Sequence, residues 1–265
     1  MKKTIYTIIA ISLLVGLFFV QGYQNNQISK NNIEEAGSTN TTLSRADFLP
    51  ESINQIVHHK SYSLSYNEKH EQAEWTVHIL NPSDIKKVSF KRPYFEIDDM
   101  VSTGAASWRN YKNSGYDRGH LVPAGDRRAS MEDYNETFLT SNISPQRHNF
   151  NAGIWNRLEQ KIRYYAQREN GIYVVTGSVL NGNLESIGSE QVSVPEQFYK
   201  IIYKKSSGKE KMMAFLIPHQ ESDQSIYKYL VPVDSIEELT GSNFFTQLPD
   251  EIENRLERSV DRSGW

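Results

Sequence analysis

NAGIWNRLEQKIRYYAQREN, residues Asn151–Asn170, carries Ile154, Trp155, Leu158, Ile162 and Tyr165 at helical spacing. That spacing predicts an amphipathic helix with one apolar face. What flanks this helix sets the fold class. Upstream, Tyr62, Leu64 and Tyr66 alternate in SYSLSYN, and Trp75, Val77 and Ile79 alternate in EWTVHIL. These read as an antiparallel pair joined through Glu68–Gln72. Downstream, further strands are predicted at Gly171–Leu180, Gln197–Tyr203 and Met212–Pro218. Near the C-terminus, Asp234 to Glu237 has the spacing of a capping box, with Gly241 placed to stop a short helix. Strands, one long helix, more strands and a short helix give an α+β domain rather than an alternating parallel βαβ fold.

Working outward to the N-terminus, Met1-Lys2-Lys3 precedes an apolar run, Thr4–Val20. At ~1.5 Å rise per residue the run spans about 25 Å, slightly less than a bilayer core. Residues 1–22 are therefore either a cleaved export signal or a retained membrane anchor with the lysines inside. Both place the body of the chain outside the cytosol, secreted, periplasmic or tethered through residues 4–20. Residues 23–47 are polar, Asn-rich and without apolar periodicity, the composition of a disordered spacer. The folded domain is expected over 48–265.

Composition narrows the chemistry. The 265 residues contain no cysteine and carry a formal net charge of −3. Thiolate zinc sites, iron–sulfur clusters, disulfide scaffolds and cysteine nucleophiles are excluded. Any metal must be held by His, Asn, Asp, Glu or backbone oxygens, and any basic face must be local.

Two segments concentrate reactive side chains. In Gly115–Asp126, GYDRGHLVPAGD, Arg118 and His120 stand two residues apart. In a strand they would share one face, with Gly119 between them permitting close approach. A guanidinium suits a phosphate, and an imidazole suits proton abstraction from water. The second segment runs from Thr140 through Gln146 to Asn151 and Glu159. Asn151, at the expected helix start, is either an N-cap or a neutral oxygen ligand for a hard divalent cation. Glu159, about 80° further round the helix, is either an exposed partner for Arg163 or a holder of metal-bound water.

Together the two segments resemble the sugar-non-specific DNA/RNA endonucleases of the ββα-metal (His-Me finger) superfamily, the group that includes mitochondrial endonuclease G. Tyr116–Leu121 is similar to that family's D-R-G-H signature, Ser141–Gln146 to its S-N-[IM]-x-P-Q segment, and Asn151–Glu159 to its N-x-G-x-W-x-x-L-E helix. Val233–Phe245 resembles its closing segment, and the resemblance covers roughly Tyr62 to Pro249. It implies a central antiparallel sheet with a ββα-metal finger and flanking helices. It further implies a Mg²⁺-dependent endonuclease, with Mn²⁺ or another divalent cation able to substitute, acting on DNA and RNA. His120 would be the general base and Asn151 the single direct metal ligand. Arg118 would contact phosphate, Glu159 would orient metal-bound water, and Asn142 would support the catalytic set. A further upstream arginine is expected, with Arg92 and Arg109 both candidates, and Asp117 is read as structural.

The charge pattern agrees. Between Lys86 and Arg128 there are nine lysines and arginines against five carboxylates, a local basic surplus suited to backbone contact. The pair His58-His59, and His70, His78, His148 and His219, are read as structural or surface histidines, and the many tyrosines as packing. The rival readings are a catalytically silent nucleic-acid-binding or surface module on the same scaffold, and a phosphodiesterase acting on small phosphorylated substrates. The silent module would be marked by loss of Arg118, His120, Asn151 or Glu159, and all four are present.

Overall fold

The computed structural model describes residues 48–206 and 209–265. The expected export or anchor segment, 1–22, and the spacer, 23–47, lie outside the described residues. Strands β1 (Gln55–His58), β2 (Ser63–Asn67) and β3 (Gln72–Leu80) form an antiparallel meander. A long connection then leads to β4 (Asp117–His120), helix α1 (Met131–Glu136) and β5 (Ile143–Gln146). Helix α2 (Asn156–Arg168) follows, then β6 (Ile172–Ser178), the short pair β7 (Ser186–Ile187) and β8 (Val192–Ser193), and the long strands β9 (Gln197–Ser206) and β10 (Lys209–Pro218). Strand β11 (Leu230–Val231) and helices α3 (Val233–Thr240) and α4 (Asp250–Glu257) close the chain.

The main sheet has seven strands in the order β1-β2-β3-β6-β9-β10-β11, all pairs antiparallel. Its strands are apolar on both faces because both faces are covered. Side chains alternate across the pleat: Ile172, Val174, Phe198 and Ile202 pack against Trp155, Leu158, Ile162 and Tyr165 of the α2 layer. Tyr173, Val175, Tyr199 and Ile201 pack against Val233, Ile236, Phe244 and Leu256 of the α3–α4 layer. The sheet therefore separates two helical layers, and Asn151 and Glu159 lie on the α2 side of it.

The five expected strands are present. β1, the β7–β8 pair, β11, α1 and α4 were not anticipated, being short elements with few apolar residues to mark a period. The capping box at Asp234 is corrected. Asp234 lies inside the first turn of α3, Pro232 occupies the cap position without a side-chain bond, and the Glu237 carboxylate accepts from the Phe244 amide at 2.8 Å. Gly241 does end α3, in the left-handed conformation at φ 72°.

Candidate active site

β4 and β5 form a separate two-stranded hairpin ahead of α2, with Gly119 opposite Ser144 and His120 opposite Ile143. Gly119 has a specific packing reason. A Cβ there would lie 2.2 Å from Gln146 Cδ, so the close approach that Gly119 permits is that of the Gln146 side chain.

Arg118 and His120 share one environment, as their spacing predicts. The His120 ring packs 5.5 Å from Phe95 and edge-on to Phe138 at 4.9 Å. The Arg118 guanidinium lies over the same Phe95 ring at 5.4 Å and over Trp108 at 5.5 Å. His120 Nε2 is buried without a hydrogen-bond partner. Burial first, and the Arg92 charge second, push the imidazole down to about 3, so it is neutral at physiological pH and able to accept a proton. Phe95 itself is held by a bridge to the β5 approach: Glu96 N donates to Phe138 O at 3.2 Å and Thr140 N to Glu96 O at 2.8 Å.

Both upstream arginines reach this aromatic bed. Arg92 stacks on Phe95 and Phe138, the two rings that flank His120, at 5.8 and 5.5 Å. Arg109 stacks on Trp108 at 4.9 Å. Among the described residues none of Arg92, Arg109 and Arg118 has a carboxylate within ion-pair distance, which leaves three guanidinium groups without a counter-charge. Of the three, Arg92 is the one whose charge acts on His120.

Asn151 is not an N-cap. Arg147 caps the helical turn His148–Phe150, and Asn151 opens a wide turn, Asn151–Trp155, that departs from helical geometry at Gly153 (φ −95°, ψ −109°) before α2 begins. The separation of Asn151 from Glu159 expected for an unbroken α-helix therefore does not apply. The Asn151 side chain donates through Nδ2 to Asp117 Oδ2 at 3.0 Å, and His148 Nδ1 meets the same oxygen at 3.0 Å. A carboxylate only accepts, so the amide NH₂ must face Asp117 and Oδ1 is the end left to bind. The partners of Asp117 are these two side chains rather than loop amides.

A scan against family models matches residues 40–251 to the DNA/RNA non-specific endonuclease family. The chain belongs to that family. It is 30% identical to human mitochondrial endonuclease G over 205 residues, covering 72% of this chain and 69% of that protein. It is 31% identical to the frog (Xenopus laevis) mitochondrial nuclease EXOG over 71% of this chain, and spans only 57% of that relative's length. A Nostoc nuclease is 31% identical over 78% of this chain and 79% of its own. A crystal structure of an EndoG/EndoGI complex superposes with a TM-score of 0.72 at 29% identity, over 79% of this chain and 91% of that one.

In this family member Asn142 stands beneath the hairpin and is not placed to react. It is fully buried, and its amide is spent on backbone: Oδ1 accepts from Val122 N at 2.9 Å, and Nδ2 donates to Val122 O and Thr137 O at 3.0 and 2.9 Å. Asn142 is a clamp on the chain just after His120 rather than a reacting group. Lys200 adds a second clamp that sequence reasoning missed. Its buried ammonium donates to Leu121 O at 3.1 Å and Thr176 Oγ1 at 2.7 Å and lies 4.8 Å over the Trp155 ring. A lysine inside the apolar strand QFYKIIY was the available signal.

Glu159 is largely buried, not exposed. It lies 3.9 Å from Arg163 Nη1, which in turn bonds Asp126 Oδ1 at 2.7 Å, and Asp126 Oδ2 faces His78 Nε2 at 3.3 Å. Burial pushes the Glu159 carboxyl up against the pull of Lys200, and burial pushes Lys200 down. A carboxyl held in that state gains from a nearby cation, and Asn151 Oδ1 and a carboxylate are each donors of the kind that a hard, oxygen-seeking divalent ion takes. The remaining histidines are structural: His59 pairs with Asp98, His70 with Ser193, and His219 Nε2 accepts from Arg147 N at 2.6 Å, anchoring the turn that leads to Asn151.

Proposed function

We propose that this chain is a divalent-cation-dependent endonuclease that hydrolyses phosphodiester bonds of DNA and RNA with little sequence preference. One observation carries the reading: a single four-residue strand holds His120, with its Nε2 buried and unpartnered, and, through Asp117, turns the Asn151 amide so that its oxygen is presented.

In this reading Arg118 and Arg92 bind the scissile phosphate, with Arg109 at the edge of the same aromatic bed. They grip backbone oxygens and read no base edge, consistent with low sequence preference. His120 takes the proton from the attacking water. A phosphate anion seated beside the ring offsets the Arg92 charge and raises the proton affinity of the imidazole when it is needed. Asn151 Oδ1 is the direct protein contact to the metal, and Glu159 holds water of its hydration shell. When bound, Mg²⁺, or Mn²⁺ in its place, supplies positive charge that stabilises the transition state and the leaving oxygen.

We also place the nuclease domain over 48–265, outside the cytosol. The two lysines and the apolar run Thr4–Val20 support export by a cleaved signal or a retained anchor. Mitochondrial transit peptides are amphipathic and Arg-rich, and this run is neither. N-terminal sequencing of the protein from membrane and soluble fractions tests it: a new terminus near Gly22 marks cleavage, and an intact Met1 in the soluble cytosol would contradict both forms.

The function is tested with the full chain in mild detergent. Plasmid DNA and ribosomal RNA should both be degraded with Mg²⁺, and chelation should stop both reactions. Activity confined to small phosphodiesters, uncompeted by long DNA, would contradict the reading.

A further inference from the structure

On the far side of the sheet from Asn151, among the described residues, Asp234, Glu237 and Glu257 bring one carboxylate oxygen each to within 4.8 Å of one another. Asp234 and Glu237 stand three residues apart on one face of α3, and Glu257 is the last residue of α4. Glu257 is only 5% exposed, and its Oε1 is buried with no hydrogen-bond partner. A buried carboxylate oxygen with nothing to accept from is rare in folded proteins, because leaving water without replacement is costly. We propose that these three residues form a second, structural divalent-cation site of the calcium class, which ties α3 to α4.

Among the described residues the cluster has no cation of its own suited to the buried oxygen. Arg258 Nε lies 3.8 Å from Asp234 Oδ2, but both side chains are exposed and Arg258 faces Asp234 rather than Glu257. The charges that act on Glu257 are the carboxylates of Glu237, Glu253 and Asp234, and all of them disfavour a further negative charge there. Its place at the C-terminal end of α4, the negative pole of the helix, adds to that cost. Glu237 keeps one oxygen on the Phe244 amide at 2.8 Å, leaving the other to turn toward the cluster.

The donor chemistry selects the ion. Carboxylate oxygens alone suit hard cations and not zinc or copper. Among hard cations, Ca²⁺ takes more oxygen ligands in a more flexible shell than Mg²⁺, which suits three carboxylates drawn from two helices. The exposed Asp234 side leaves room for water to complete that shell.

The site shares no residue with the proposed catalytic metal. Val233, Ile236 and Leu256 beside it belong to the α3–α4 core, whereas Trp155 and Leu158 beside Asn151 belong to the α2 core. The two can therefore be separated by substitution.

The test is calorimetric titration of Ca²⁺ into the full chain carrying Asn151→Ala, with thermal unfolding followed in parallel. The expected result is saturable calcium binding and a rise in Tm. Adding Glu257→Gln should abolish both, and Asp234→Asn, on the exposed side, should weaken binding at least about 10-fold. With Asn151 intact, Glu257→Gln should retain full nuclease activity at saturating Mg²⁺. Absence of calcium binding in the Asn151→Ala protein overturns the proposal, as does binding that survives Asp234→Asn at full strength. A Tm that rises on mild acidification but ignores calcium also overturns it, since the carboxylates would then be sharing protons instead of a metal.

Discussion

Asn151 Nδ2 lies 3.0 Å from Asp117 Oδ2, and this contact decides which end of the Asn151 amide is free to bind a cation. The dependence runs across the hairpin: a residue on β4 sets the donor atom presented by the turn before α2. Asp117→Ala should therefore weaken metal affinity about 10- to 100-fold while leaving the His120 environment intact. Asp117→Asn should recover part of the loss, because an amide oxygen still accepts from Asn151 Nδ2. The Mg²⁺ concentration giving half-maximal nuclease rate is the readout, and an unchanged value for Asp117→Ala would contradict the assignment.

Gly119 and Gln146 make the hairpin a tightly packed unit. Because a Cβ on Gly119 would come within 2.2 Å of the Gln146 side chain, Gly119→Ala should cost about 1–3 kcal/mol. Combining it with Gln146→Ala should return much of that cost, a coupling that urea unfolding of the four proteins measures directly. Additive effects would show that the clash is relieved elsewhere.

The three uncompensated arginines should differ in effect. Removing a charge-assisted contact costs about 1.5–3 kcal/mol, so Arg92→Gln and Arg118→Gln should each lower kcat/KM by roughly 10- to 100-fold. Arg109→Gln, at the edge of the bed, should lower it less. All three should flatten the dependence of binding on salt. An Arg109 variant more damaged than Arg92 would reverse the assignment of the phosphate contact.

Stability should fall in mild acid. Burial holds His78 and His120 down to about 3 and His219 down to about 4. Each folded value lies below the ordinary histidine value of about 6.5, so the unfolded chain binds more protons as pH drops. Their stabilising contribution is complete above about 6.5 and is lost as pH falls toward the folded values. Glu257, pushed up to about 9 by burial and its carboxylate neighbours, works in the opposite sense and adds stability as pH falls below about 9. The histidine effect is therefore read in Glu257→Gln, whose urea midpoint should decline from about 6.5 toward 4. A midpoint that is flat from pH 7 to 4 would show that these histidines do not carry the expected linkage.

How much of this was legible in the sequence depended on range. Strands β2 and β3 announced themselves through alternating apolar residues, β6, β9 and β10 through short runs rich in apolar and aromatic residues, and the α2 stripe through Leu158, Ile162 and Tyr165, because such patterns are local. The contact of Asp117 with Asn151 joins residues 34 apart, and that of Asp126 with Arg163 joins residues 37 apart. No spacing rule reaches so far. Phe95, Trp108 and Phe138 resemble any other aromatic residues until the fold stacks arginines and His120 on them. Asn142 was named beside the reactive residues because it lies in the same motif, yet its amide is consumed by backbone, a fact only three-dimensional accounting reveals. The wide turn at Asn151–Trp155 was hidden because its residues keep a helical apolar pattern while the backbone does not.

The most direct measurement pairs two substitutions in one assay, reading the single-turnover cleavage rate against Mg²⁺ concentration for His120→Ala and Asn151→Ala. His120→Ala should lose about 10²–10⁴ in rate with its half-saturating Mg²⁺ unchanged, whereas Asn151→Ala should need far more metal. A His120→Ala protein that cuts DNA at the unsubstituted rate, or an Asn151→Ala protein with an unaltered metal requirement, would contradict the account.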